Sequence, residues 1–92
     1  MEDISYNPGD IVLSVAGRDR GGLFVVVSCD GLYAYICDGD IHKIDKPKKK
    51  KIKHIRPANG NTEYIALKLE ENSKVTNTEL RRAISEFEET NI

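Results

Sequence analysis

The chain predicts a mostly β fold with a helical C-terminus: a small closed barrel of about five strands followed by two short helices. Three observations carry this expectation. Runs of β-branched and aromatic residues, "LFVVVSC" and "LYAYIC", are punctuated by Asp-Gly pairs, a strong short hairpin signal. The strand-like patterning stops near Pro57 and gives way to helix formers. The 92 residues allow only one modest core, and closing short strands on themselves removes exposed sheet edges. The expected parts are a barrel over 1–57 and a helical extension over 58–92 packed on it, one domain overall.

Each element has its own warrant. Pro8-Gly9 is a turn signal, after which Ile11, Leu13 and Val15 alternate with Val12 and Ser14 as in a first strand with one buried face. "GRDRGG" breaks that strand, and its glycines permit a tight loop around two arginines. A two-residue turn at Asp30-Gly31 would set Val25, Val27 and Cys29 on one face with Ile36, Ala34 and Leu32. Phe24, Val26 and Ser28 would then share the other face with Cys37, Tyr35 and Tyr33. Asp38-Gly39 begins a second turn, and "KKIKHIR" resumes after Pro47. Ile52 and Ile55 are three apart, which predicts a bulge or a short helical turn. Pro57-Ala58-Asn59-Gly60 is expected to end the β region.

The C-terminal third reads as helix. "NTEYIALKLEEN" suits a short helix by composition, with Ile65 and Leu69 at helical spacing. Thr76 and Glu79 form a capping box, with Val75 and Leu80 as a hydrophobic staple. Leu80, Ala83, Ile84 and Phe87 make one apolar stripe. That stripe needs an apolar surface, and the face bearing Phe24, Tyr33 and Tyr35 is expected to be the one it covers. The alternatives for these rings are stacking of unpaired bases or a methyl-lysine cage.

Composition narrows the function classes. There is no long apolar run for a membrane span, and the acidic start "MEDISYNPGD" has no apolar core like that of a signal peptide, which points to the cytoplasm or nucleus. Cys29 and Cys37 lack metal-ligand spacing and read as two buried thiols in a reducing compartment; no metal and no cofactor is expected. Neither His42 nor His54 neighbours a nucleophile, and no phosphate-binding glycine loop is present, so no catalytic constellation and no small-molecule substrate is expected. Charge is the strongest signal. The net charge of -1 hides a layout of -5 over 1–42, +7 over 43–56 and -3 over 57–92. A concentrated positive segment of this kind suits a polyanion.

Residues 9–56 resemble the KOW motif found in many ribosomal proteins and NusG-type transcription factors. The likeness is greatest to the archaeal- and eukaryotic-type large-subunit ribosomal proteins fourteen-e, six-e and twenty-seven-e. It is carried by Gly9, Val12, Ser14, Ala16-Gly17-Arg18-Asp19, Gly21, Phe24-Val25-Val26-Val27, Asp38-Gly39, Lys46-Pro47-Lys48-Lys49-Lys50 and Lys53-His54-Ile55. The resemblance implies an SH3-like barrel that binds RNA, rRNA above all, in connection with translation or the ribosome, in the cytoplasm and without catalysis. The acidic C-terminal helices depart from the basic extensions of those ribosomal proteins, and they offer a place to dock a protein or the ribosome.

In this reading Arg18 and Arg20 reach phosphates or a base edge, while Gly17, Asp19, Gly21 and Gly22 shape the loop that carries them. Lys43, Lys46, Lys48, Lys49, Lys50, Lys51, Lys53, His54 and Arg56 supply the second half of the grip, positioning RNA without reading its bases. The competing readings of the lysine run are a solvated, self-repelling loop and a nuclear-import address. The competing function is a protein-interaction adaptor of the NusG-type KOW class, binding a polymerase or acidic protein surface. The RNA-binding expectation depends on folding bringing the arginine loop and the lysine segment to one flank.

Overall fold

A computed structural model describes residues 5–90; residues 1–4 of the acidic start and 91–92 of the helical extension lie outside them. Five strands form one antiparallel sheet: β1 (Asp10–Ser14), β2 (Leu23–Asp30), β3 (Tyr33–Cys37), β4 (Lys48–Lys51) and β5 (Ile55–Asn61). Their spatial order is β4-β3-β2-β1-β5, so the lysine strand and the last strand are the two edges. A 3-10 turn, Ile52–His54, joins those edges, which is the helical alternative expected from the isoleucine spacing. Helices α1 (Glu63–Glu70) and α2 (Asn77–Thr90) follow. The expected class, mostly β with C-terminal α, is the one observed.

The sheet buries both of its faces. Val12, Phe24, Val26, Ala34, Ile36 and Ile55 share one core with Tyr6, and Ile52 packs at its margin. Neither helix contributes to that core, which is consistent with a sheet curled over it as in a small barrel, although among the described residues no ladder joins β4 to β5 and the edges expected to be closed off remain. Val25, Cys37, Ile65, Val75 and Leu80 form the second core on the outer face, extended by Val27, Ile44, Leu69, Ala83 and Ile84. Thus β1 does not have the single buried face expected of it: Val12 and Ser14 are buried on one side and Ile11 on the other.

The β2–β3 hairpin differs from the expected register. The two-residue loop is Gly31-Leu32, with Asp30 opposite Tyr33, and a bulge falls between Val26 and Ser28. Gly31 takes φ +58 at the first loop position, and Leu32 is 78 % exposed at the tip. Beyond the bulge Val26 pairs with Ile36 and Val25 with Cys37. Phe24 and Val26 therefore point into the barrel and Val25 out to the helices, the reverse of the expected partition of core and outer face. Cys37 is buried, and burial together with neighbouring Asp38 pushes its thiol up to about 12. Cys29 is exposed near the hairpin tip, against the expectation of two buried thiols.

Pro57 does not end the sheet. It sits inside β5, opposite Val12, and the strand continues to Asn61 past an irregularity where Asn59 adopts φ +60. An edge strand tolerates proline because an N–H aimed at solvent has no ladder partner to lose.

The helices dock as the sequence predicts, on a different surface. The Thr76 amide donates to Glu79 Oε1 at 2.9 Å and the Glu79 amide to Thr76 Oγ1 at 3.2 Å, closing the capping box. Leu80, Ala83 and Ile84 cover Val25 and Cys37 rather than Phe24 and the tyrosines. The start of α2 is pinned to the β3–β4 connection. Ile44 N donates to Asn77 Oδ1 at 2.8 Å, and Arg81 to the Gly39 carbonyl at 2.6 Å. Its far end lies at β5, where a side chain at Gly60 would collide with the Phe87 ring.

Candidate functional site

The arginine loop is shaped by its glycines. Gly17 (φ +78) and Gly21 (φ +89) hold conformations that other residues avoid, and the Gly21 amide closes onto the Ser14 carbonyl at 2.9 Å. Gly22 has a negative φ but no room: an added Cβ would meet the Phe24 ring at 2.9 Å. Arg18 and Arg20 stand exposed on this loop, and among the described residues no carboxylate pairs with either.

Asp19 does something the sequence did not suggest. Its carbonyl accepts from Gly22 N at 2.9 Å, the loop-shaping role expected of it, but its carboxylate does not stay within the loop. Instead it faces the lysine strand and the β3–β4 connection. His42 Nε2 donates to Asp19 Oδ1 at 3.0 Å, and Lys50 Nζ lies 3.7 Å from Asp19 Oδ2. Burial alone would raise the Asp19 carboxyl; the His42 hydrogen bond and the Lys50 and Lys48 charges outweigh it and hold the group below its usual value. Lys50 also donates to the Ala16 carbonyl at 2.8 Å. The His42 ring sits 5.7 Å from that of Phe24, continuing the core up to the loop.

Lys50 is therefore withdrawn from the predicted RNA-binding set. It is 7 % exposed and its ammonium is used inside the protein. The cause is strand alternation, which sends successive side chains to opposite faces. Lys48 and Lys50 pair with Ile36 and Ala34 and share the barrel-side face, while Lys49 and Lys51 pair with Tyr35 and Tyr33 on the outer face. The run is not one basic stripe but an edge with two sides.

The remaining predicted residues fall around this edge. Lys43 and Lys46 are exposed on the connection before β4, in a turn closed by Lys46 N and the Lys43 carbonyl at 3.0 Å. Lys53 and half-buried His54 lie on the 3-10 turn, and the His54 carbonyl accepts from Val15 N at 2.9 Å where β1 leads into the arginine loop. Arg56 is exposed on β5 but folds back onto the Ile55 and Lys53 carbonyls at 3.0 and 3.4 Å.

The two positive stretches are thus neighbours, with Lys50, Asp19 and His42 as the joint between them. Glu86, Glu88 and Glu89 belong to the last turns of α2, which reach Gly60 on β5, and among the described residues none of them pairs with the arginines of the loop or the lysines of the basic segment. His42 is the residue that sequence reasoning left out of the site. Nothing local in the sequence pairs it with Asp19, 23 positions away. No protein-family model matches the chain, and no curated protein matches it.

Proposed function

We propose that the protein binds RNA through its phosphate backbone, in the cytoplasm and in connection with translation, as the KOW resemblance implies. The observation that carries the reading is the joint just described. Lys50 spans from β4 to Ala16 and Asp19 and holds the loop bearing Arg18 and Arg20 beside the strand bearing Lys48. Among the described residues Arg18, Arg20 and Lys48 make no ion pair, and such cations, on neutralising RNA phosphates, would displace the counterions condensed on the RNA. Arginine supplies a planar fork for phosphate oxygens, and lysine adds mobile point charge. Lys53 and His54 border the same end.

The experiment is a titration of a labelled ribosomal RNA hairpin at several salt concentrations. Wild-type affinity should fall steeply with salt, with a log-log slope of about -0.9 per duplex phosphate neutralised. Changing Arg18, Arg20 and Lys48 to Ser should flatten that slope by roughly one unit for each side chain that met a phosphate. Absence of binding at low salt would overturn the reading. It would favour the adaptor alternative, in which the same basic face meets an acidic protein surface.

A further inference from the structure

We propose that the outer face of the β3–β4 edge is a second RNA subsite that stacks unpaired nucleotides, so that the preferred RNA is a duplex with an adjoining single strand. This rests on the RNA-binding reading and adds a class of RNA to it.

The sheet register builds the subsite. Tyr35 lies between Ser28 on β2 and Lys49 on β4, and Tyr33 between Asp30 and Lys51. Side chains on one face of a sheet line up across strands, so both rings and both lysines share a surface. Lys49 Nζ stands 4.4 Å over the centre of the Tyr33 ring, a diagonal contact this register allows. The helices cover Cys37, at the other end of β3, and neither tyrosine belongs to the core they complete. Both rings are partly exposed.

Two tyrosines on alternate residues of one strand, about 7 Å apart along the backbone and flanked by cations, match the chemistry of a single strand: π-faces for bases and positive charge for the backbone. Lys49 occupies the Tyr33 face in the free protein and would move to a phosphate as a base replaces it. Asp30, at the hairpin tip, borders Tyr33 on the β2 side and directs the backbone towards β4. The barrel-side face of β4 has no such rings; Lys48 there faces the arginine loop. The β3–β4 pair would thus present phosphate contacts on one side, from β4, and stacking on the other, from the β3 tyrosines.

The test compares a blunt RNA hairpin with the same hairpin carrying a single-stranded oligouridine tail. Wild type should bind the tailed RNA more tightly. The variant Tyr33→Leu/Tyr35→Leu, which keeps apolar bulk, should lose about tenfold or more for the tailed RNA and nothing for the blunt one. A second readout uses unaltered protein. The chain has four tyrosines and no tryptophan, so oligouridine should quench its tyrosine fluorescence directly. Equal wild-type affinity for both RNAs, or no quenching at saturating oligouridine, overturns the subsite while leaving the phosphate grip intact. Failure of wild type to bind either RNA removes the underlying reading as well.

Discussion

Asp19, Lys50 and His42 show how much a few side chains do here. A lysine at 7 % exposure is costly unless its charge is met, and Asp19 and the Ala16 carbonyl meet it. Replacing Asp19 by Asn keeps the shape and removes the charge, leaving a desolvated ammonium with one neutral acceptor. Thermal and urea denaturation should register a loss of about 2 kcal/mol, the scale of a hydrogen bond to a charged group. A variant as stable as wild type would mean that the joint contributes nothing to the fold. The same group sets a pH limit. The Asp19 carboxyl is held below its ordinary value, so its contribution is complete above the unfolded value and fades as pH falls through the lower folded one. None of this could be read from "GRDRG". Sequence shows which residues carry charge, and it does not show which charges the fold spends on itself.

Helix α2 was the most legible element and the β2–β3 hairpin the least. Thr76, Glu79, Val75 and Leu80 are local signals within one turn, and they formed the cap and staple expected of them. The hairpin failed because register is specified by which face is apolar, and "LFVVV" is apolar on both. With the barrel on one side and the helices on the other, a one-residue slip carries no pattern penalty, and a bulge at Val27 is invisible to any symmetric pairing rule. The lysines of β4 were legible as charge but not as a strand. Lysine suits this position because an exposed edge must resist pairing with another chain. Glu79 gives the helix layer its own test. The Lys68 ammonium, 2.6 Å away, with the Tyr64 hydroxyl and the Thr76 amide, holds its carboxyl down to about 2 from 4.5. A depressed carboxyl stabilises the fold above its unfolded value, so this contribution should be lost as pH falls from about 4.5 to 2. Circular dichroism should show helix loss over that window in wild type and a weaker pH dependence in Glu79→Gln. Equal profiles would contradict the assignment.

Over the whole molecule, the fold turns a linear charge pattern into a spatial one. The positive segment runs from the β3–β4 connection through β4 and the 3-10 turn to the start of β5, with the arginine loop against β4, and the last turns of α2 lie at Gly60 near the end of β5. In the proposed function, a basic segment gathered beside the arginine loop would steer a nearly neutral protein towards a polyanion. The adjacency of loop and lysine segment was expected from the sequence. Its cause, a buried lysine reaching across to the loop, was not, because alternation on a strand can be applied only once the strand and its ends are known.

The most direct measurement is an NMR titration of the uniformly labelled protein with an RNA hairpin at low salt. The account predicts that amide signals of residues 17–22 and of Lys48 shift together, along one binding curve, while those of α2 beyond Phe87 stay in place. Shifts confined to the helices, or loop and strand responding to different RNA concentrations, would contradict it.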